Sequence, residues 1–281
     1  MIKKILLGLS ALIVISSLGF YLSVEYRQQI SSFQGKYNFS EGVADLTPEE
    51  ERYVINNMVS TLYHELGHGL IHQLDLPVLG REEDAADSLS VVLINNIYED
   101  DKAVEILTDV ANDYLVYSQN SNSDENYWDE HSSGSQRTFN FACWLYGAAP
   151  EQRSFLLEKF NLPEERAVSC AEEFSKDEDS WFRLLKEHGG PREERTNWAH
   201  LGKVNTPTKI DKKIVAAFKE ASSTLNDLNL PAANIPVNYD YCNTPNAFYL
   251  QKSRSVTMCI EMTHQTALSA RYLSKQNAAA K

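Results

Sequence analysis

The 281-residue chain is short of positive charge and of cysteine. It carries 26 lysine and arginine residues against 39 aspartate and glutamate residues, a formal net charge of −13. Such a surface repels a phosphate backbone, which argues against nucleic acid as a partner. The four cysteines include no CxxC pair, which argues against a zinc site built from cysteines. The length and the 43% hydrophobic content suffice for one large domain or two small ones.

Residues 5–24 contain no charged side chain and follow a short basic start. This order is typical of export. The apolar run is long for a signal peptide and nearly spans a bilayer. Residues 1–24 are therefore either a signal peptide, with a tolerable cleavage site at Ser17-Leu18-Gly19, or an N-terminal membrane anchor; a buried helix is the remaining alternative. Both export interpretations place the rest of the chain in the periplasm or outside the cell.

The four cysteines form two pairs of near neighbours along the chain. An even number of cysteines in an exported chain indicates two disulfides, and the short internal spacings favour Cys143–Cys170 and Cys242–Cys259. Four buried free thiols are the alternative.

Helical signals begin after a polar tether over residues 25–46. Thr47 and Glu50 have the spacing of a capping box, apolar residues at helical spacing follow, and "LPVLG" ends the helix. Residues 118–136 are predicted to be a polar loop and residues 189–206 a linker. Further helices are predicted from about residue 81 to 98 and over residues 102–117, 138–147, 150–160 and 163–188.

The last third of the chain changes character. One helix is predicted over residues 209–228, and the alternation within residues 235–262 predicts two or three short strands. We therefore expect an α+β, mainly helical fold with a helical core over residues 47–200. Residues 201–281 are expected to complete that core with a helix and a small C-terminal β-hairpin or sheet.

The first predicted helix carries an HExxH motif, His64-Glu65-Leu66-Gly67-His68. Histidines four residues apart lie one above the other on a helix, so both imidazoles can reach one ion. Glu65 lies beside them, where a carboxylate can orient and deprotonate a water molecule. The motif predicts a zinc hydrolase in which His64 and His68 bind Zn²⁺ and Glu65 is the general base.

A catalytic zinc ion needs a third protein ligand and an open fourth position. The downstream "REEDAAD" offers Glu83 and Asp87, again four residues apart on a predicted helix. Glu83 is the expected ligand, and Asp87 is expected to accept a histidine N–H and so fix the tautomer of that ring. Glu82 is the alternative third ligand.

Two other histidine patterns are disfavoured. His72 continues the i+4 series, but eight residues of helix separate it from His64 by about 12 Å, too far for one ion, so we interpret it as structural or surface. The extended pattern HExxHxxGxxH fails because Ile71 and Leu74 stand where it requires glycine and histidine. The zinc type with a glutamate ligand remains.

The segments "HELGHGLIHQLDLPVLGREEDAADSL", "DEHSSGSQRTFNFACWLYG" and "LPAANIPVNYDYCNTPNAFY" resemble a bacterial metallopeptidase family of otherwise unknown function. More broadly, the chain is similar to the gluzincins, the thermolysin-like zinc peptidases. The resemblance implies that His64, His68 and Glu83 hold zinc and that Glu65 is the base.

The order of elements departs from the gluzincins. In that group an edge strand that binds the extended substrate precedes the HExxH helix, whereas the similar "NAFY" (246–249) follows it here. We expect the C-terminal strands to fold back in a permuted order and to place Asn246, Ala247 and Phe248 against the substrate. The alternative is a substrate groove built differently, with the hairpin remote from it.

A peptidase also needs a donor for the tetrahedral oxyanion. The polar loop offers His131, which also resembles the "EHS" element of the family, and Arg137 and Tyr127 are reserves. The expected partner is a peptide or protein substrate, and residues 5–24 offer a membrane attachment.

Two other functions compete with a peptidase. The ExxH pairs Glu65/His68 and Glu261/His264 suggest a di-iron carboxylate protein, but that interpretation leaves His64 without a role. A non-catalytic exported binding module would need a fourth protein ligand to close the zinc site, for which Asp84 and His72 are candidates.

Overall fold

A computed structural model describes residues 43–120, 128–188, 199–227 and 234–279. The fold is α+β and mainly helical with a small C-terminal sheet, which confirms the predicted class. The elements, in chain order, are α1 (Pro48–Gln73), α2 (Glu82–Ile97), α3 (Asp100–Asn120), α4 (Gly134–Ala148), α5 (Phe155–Lys159), α6 (Glu164–Glu187), β1 (Ala199–Val204), α7 (Lys209–Asp227), β2 (Ile235–Asp240), β3 (Ala247–Leu250), β4 (Ser255–Cys259) and α8 (Ile260–Ala279).

Helix α1 is the central element of the fold. It begins with the predicted capping box, in which the Glu50 N–H donates to Thr47 Oγ1 (3.2 Å) and the Thr47 N–H donates to Glu50 Oε2 (2.9 Å). Helices α2, α3, α7 and α8 and strand β3 all contact it. Because it is covered on several sides, its apolar and polar residues are both largely buried between Tyr53 and Ile71.

The four strands form one sheet in the order β1-β2-β4-β3. Strands β1, β2 and β4 are parallel, and β3 pairs antiparallel with β4 and forms one edge. The Cys259 N–H donates to the Asn246 carbonyl at 3.1 Å. Since antiparallel pairs alternate, the backbone groups of Ala247 and Tyr249 point away from β4, toward the free edge.

The face of the sheet that carries the Ile235 and Tyr249 side chains packs against α1. A Cβ atom added to Gly69 of α1 would lie 2.6 Å from Ile235 Cδ1 and 3.3 Å from the Tyr249 ring. The missing side chain at this position lets the sheet approach the helix that carries the HExxH motif.

The linker predicted over residues 189–206 is wrong in part, because residues 199–204 form β1. Beyond Ala199 this strand is partly or fully exposed, so burial does not alternate along it. Its partner β2 lies more than 30 residues later in the chain, and only that long-range pairing makes it a strand. Similarly, of residues 150–160, predicted as one helix, only Phe155–Lys159 are helical.

Two disulfides are present, Cys143–Cys170 between α4 and α6 and Cys242–Cys259 across the β3 hairpin. They are the pairings that the spacing favours. A Cβ atom at Gly147 would lie only 2.2 Å from the Cys170 carbonyl oxygen, so glycine permits the close approach of the two helices.

The predicted signal or anchor and most of the tether, up to residue 42, lie outside the described residues. Within the described parts of the chain, no helix is both long enough and apolar enough to cross a bilayer.

Candidate metal centre

Helices α1 and α2 bring three side chains of the sequence prediction together. His64 Nε2 and His68 Nε2 lie 3.1 Å apart, as expected for neighbours at i and i+4. Glu83 Oε2 lies 3.1 Å from His64 Nε2 and 3.4 Å from His68 Nε2. Two imidazole nitrogens and one carboxylate oxygen therefore form a nearly equilateral triangle.

This triangle has the dimensions of a zinc site. With bonds of about 2.0–2.1 Å, the ligand atoms of a tetrahedral zinc ion lie about 3.3 Å apart. The three measured separations are 3.1, 3.1 and 3.4 Å. The residues therefore fit the metal that the sequence implies.

A separate carboxylate holds the far side of each imidazole. His64 Nδ1 lies 2.8 Å from Asp87 Oδ1, and His68 Nδ1 lies 2.8 Å from Glu82 Oε1. When each Nδ1–H donates to its carboxylate, both Nε2 lone pairs face Glu83. Two imidazole lone pairs and a carboxylate oxygen that converge in this way suit a cation.

The structure separates the two adjacent glutamates. Glu83 faces the Nε2 atoms, whereas Glu82 meets the opposite edge of the His68 ring. From the sequence, Glu82 was expected only as an alternative ligand, and this orienting contact was not predicted. The sequence signal for this contact was the pair of adjacent glutamates at the start of α2. One of them can face the triangle, and the other can hold the ring of the second histidine.

The charges around the triangle shift its pKa values strongly. Burial lowers the pKa of His64, but its hydrogen bonds with Asp87 and Glu83 outweigh burial and raise the pKa to about 9. Burial raises the pKa of Glu83, but hydrogen bonds with His131, His64 and His68 hold it far below its usual range. The acidic side chains thus favour positive charge at the imidazoles.

Glu65 is buried beside the triangle. Burial raises the pKa of its carboxyl, while the nearby imidazoles and a hydrogen bond from the Tyr249 backbone oppose that shift. The Tyr249 N–H is one of the groups on the free edge of β3, so this edge is directed at Glu65.

The triangle opens into a cleft of about 640 Å³. Strand β3 forms one wall, so Asn246, Ala247 and Phe248 lie on the same cleft as Glu65. The C-terminal strands therefore fold back to the helix that carries the HExxH motif. The lining residues are Glu65, His68, Arg81, Glu82, Glu83, Glu130, His131 and residues 246–251.

His131 reaches the triangle from the loop before α4. Its Nε2 lies 3.0 Å from Glu83 Oε2, and its Nδ1 lies 3.1 Å from Asp129 Oδ1. Its side chain is about half exposed, unlike those of the other two histidines. His64, Glu83 and His131 each offer a ligand atom within 4.8 Å of the others. The position suits either a donor to a bound substrate or a fourth metal ligand.

Of the two reserve oxyanion donors, the structure describes Arg137. Arg137 donates from Nε and Nη2 to the two oxygens of Asp87, so it is engaged behind the triangle. Tyr127 lies outside the described residues.

The side chains invoked by the competing functions have other contacts. His72 Nδ1 lies 3.2 Å from the Tyr249 hydroxyl, and Asp84 accepts a hydrogen bond from Ser132 at 2.7 Å. Glu261 accepts the backbone N–H groups of Cys242 and Asn243. Among the described residues, the second ExxH pair is not part of the cluster around His64.

Comparison with known families gives one match. A family model described as "Putative metallopeptidase" matches residues 20–185, more than half of the chain. The match includes the HExxH helix, the start of α2 and the loop that carries His131, but not the sheet. No curated protein and no solved structure matches the chain.

Proposed function

Since the chain belongs to the "Putative metallopeptidase" family, we propose that it is a zinc-dependent peptidase that hydrolyses peptide bonds outside the cytoplasm. The observation that carries this proposal is the convergence of His64, His68 and Glu83 on one point, with Glu65 on the same cleft.

Zinc is the metal that the donor set favours. Two imidazole nitrogens and one carboxylate oxygen are the ligands of many catalytic zinc sites, and the triangle has tetrahedral dimensions. A bound zinc ion would polarise the scissile carbonyl and acidify the attacking water.

Glu65 is the proposed general base. Its carboxylate accepts a proton from the attacking water and then donates it to the nitrogen of the leaving amine. Burial raises its pKa, which makes it a better proton acceptor than an exposed glutamate. It lines the same cleft as His68 and Glu83, which supports this role.

His131 is the proposed donor to the oxyanion. Its Nε2–H currently meets Glu83 Oε2 at 3.0 Å, and a half-exposed side chain on a loop can turn to a substrate oxygen next to that carboxylate. Its pKa is raised by the hydrogen bond with Glu83, which favours the cationic, donating form.

The substrate backbone is proposed to add to β3 as a further strand. The free edge offers the Ala247 carbonyl, whereas the Ala247 N–H already donates to Asn246 Oδ1 at 2.9 Å. A peptide lying along this edge runs past Glu65.

The two disulfides support an exported protein. Membrane attachment through residues 5–24 belongs to this proposal as well. A chain secreted after removal of that segment would carry out the same chemistry.

A non-catalytic zinc-stabilised module is the second candidate, and one observation favours it. His131 Nε2 lies 3.0 Å from Glu83 Oε2, so His131 can close the site as a fourth protein ligand. Asp84 and His72, the candidates from the sequence, are engaged elsewhere.

The test compares three forms of the purified full chain. Wild type should bind one zinc ion per chain and cleave members of a peptide library. Glu65→Gln should keep the zinc and lose cleavage, because the amide cannot accept the proton. His68→Ala should lose both. Undiminished cleavage by Glu65→Gln would remove the assigned base, and zinc binding without any cleavage by wild type would favour the non-catalytic module.

A further inference from the structure

Arg137 of α4 forms an ion pair with Asp87 behind the triangle of His64, His68 and Glu83. Its Nε donates to Asp87 Oδ2 at 2.8 Å, and its Nη2 donates to Asp87 Oδ1 at 2.6 Å. Asp87 is buried, and the Arg137 side chain is largely shielded from solvent. A two-pronged contact of this kind fixes the plane of the carboxylate as well as its position.

Asp87 passes that restraint to the metal triangle. Its Oδ1 accepts from Arg137 and also lies 2.8 Å from His64 Nδ1. If the carboxylate could rotate, the His64 ring would rotate with it and its Nε2 would turn away from Glu83. With both oxygens held by the guanidinium, only one direction remains for the His64 N–H.

Arg137 is itself held by groups that do not belong to the triangle. Its guanidinium carbon lies 4.1 Å from the centre of the Tyr114 ring on α3, a cation–π contact. One turn earlier, Ser133 and Gln136 form a capping box that opens α4. Arg137 therefore links the positions of helices α3 and α4, through Asp87, to the orientation of the His64 ring.

We propose that Arg137 is a positioning residue of the metal centre, which sets the orientation of His64 by clamping Asp87. This inference rests on the metal site of the proposed function but not on peptide hydrolysis. Arg137 acts on the triangle through Asp87 and His64. Its loss should weaken metal binding and change the geometry of the bound metal.

The test measures the zinc dissociation constant by competition with a chelator, and the visible spectrum of the Co²⁺-loaded chain. Arg137→Met should raise the dissociation constant about 10- to 100-fold, the usual effect of removing a group that orients a ligand. Arg137→Lys keeps the charge but cannot hold both oxygens at once, so an intermediate increase and an altered Co²⁺ spectrum are expected.

Arg166→Met is the matched control. Arg166 also makes a two-pronged contact, from Nη1 and Nη2 to the two oxygens of Glu173 at 2.7 and 2.6 Å, on α6. Its loss should leave zinc affinity and the Co²⁺ spectrum as in wild type. If Arg137→Met fails to fold, the zinc dissociation constant and the Co²⁺ spectrum of Arg137→Lys test the inference.

Zinc dissociation constants for the Arg137 variants within about threefold of the Arg166→Met value, well below the 10-fold effect expected, would overturn the inference. Such a result would leave the peptidase proposal standing if wild type cleaves peptides. Conversely, a chain that loses zinc affinity in Arg137→Met but never cleaves a peptide would support the clamp and overturn the proposed activity.

Discussion

Glu82 Oε1 lies 2.8 Å from Nδ1 of His68, on the edge of the ring opposite the nitrogen that faces Glu83. Two adjacent glutamates thus have different positions at one site. Glu83→Gln should weaken zinc binding far more than Glu82→Gln, because the first removes a ligand and the second only weakens the orientation of one. For Glu82→Gln we expect a loss of about 10-fold. Chelator competition on both variants measures the difference, and equal losses would contradict the assignment.

His131→Ala separates the two functions proposed for the site. If His131 donates to the oxyanion, the variant should retain one zinc ion and lose about 10²–10³ in kcat with little change in KM. If His131 instead closes the site, zinc affinity should fall strongly. Stoichiometry by metal analysis and steady-state kinetics on a cleaved library peptide distinguish the two. Asp129→Asn is the milder comparison, because it keeps the His131 ring and weakens only the contacts of Asp129 with its Nδ1 and its backbone N–H.

Asn246→Ala should impair substrate binding without disturbing the metal. Its amide binds the Ala247 N–H at the edge of the cleft, so its removal loosens the edge that we expect to pair with the peptide. A decrease in kcat/KM of about 10-fold, equal to about 1.4 kcal/mol, is expected with zinc content unchanged. Ser253→Ala, in the exposed turn of the same hairpin, is the control. Identical kinetics for the two variants would place the substrate elsewhere.

Gly147→Ala should destabilise the helical core. The added Cβ would lie 2.2 Å from the Cys170 carbonyl oxygen, so α4 and α6 must move apart. We expect the free energy of unfolding to fall by about 1–3 kcal/mol. Gly80→Ala has nothing within 4 Å of the added atom and should have little effect. Denaturant titration of the oxidised chain measures both, and a neutral Gly147→Ala would mean that the two helices separate easily.

Asp113 should make stability depend on pH. Burial raises its pKa from 3.8 to about 6, although the Tyr53 hydroxyl donates to its carboxylate. Because the pKa of Asp113 is raised in the folded state, its protonated carboxyl contributes stability that is fully present below about pH 4. That stability is lost as the pH rises through 6, where the buried carboxyl ionises.

Asp113→Asn should therefore be more stable than wild type above about pH 7, by up to about 3 kcal/mol, and should lose that advantage near pH 4. Asp101→Asn on the exposed face of the same helix is the control. Denaturant unfolding of the three chains across this range measures the effect. A constant difference between Asp113→Asn and wild type at all pH values would show that the pKa of Asp113 is the same in the folded and the unfolded chain.

The local parts of the metal centre followed from the sequence. Histidines at i and i+4 share a helix face whatever surrounds them, and Glu83 and Asp87 share a face of the next helix for the same reason. The capping box at Thr47 is equally local. These features depend on helix geometry over a few residues, so the spacing alone predicted them.

The rest was decided by contacts between residues distant in the chain. The choice between Glu82 and Glu83 depends on how α2 crosses α1, and the contact of Arg137 with Asp87 joins side chains 50 positions apart. Strand β1 exists only because β2 pairs with it. The edge of β3 reaches Glu65 because Gly69 allows the sheet to approach α1. No short-range periodicity encodes such contacts, since they depend on the packing of whole elements.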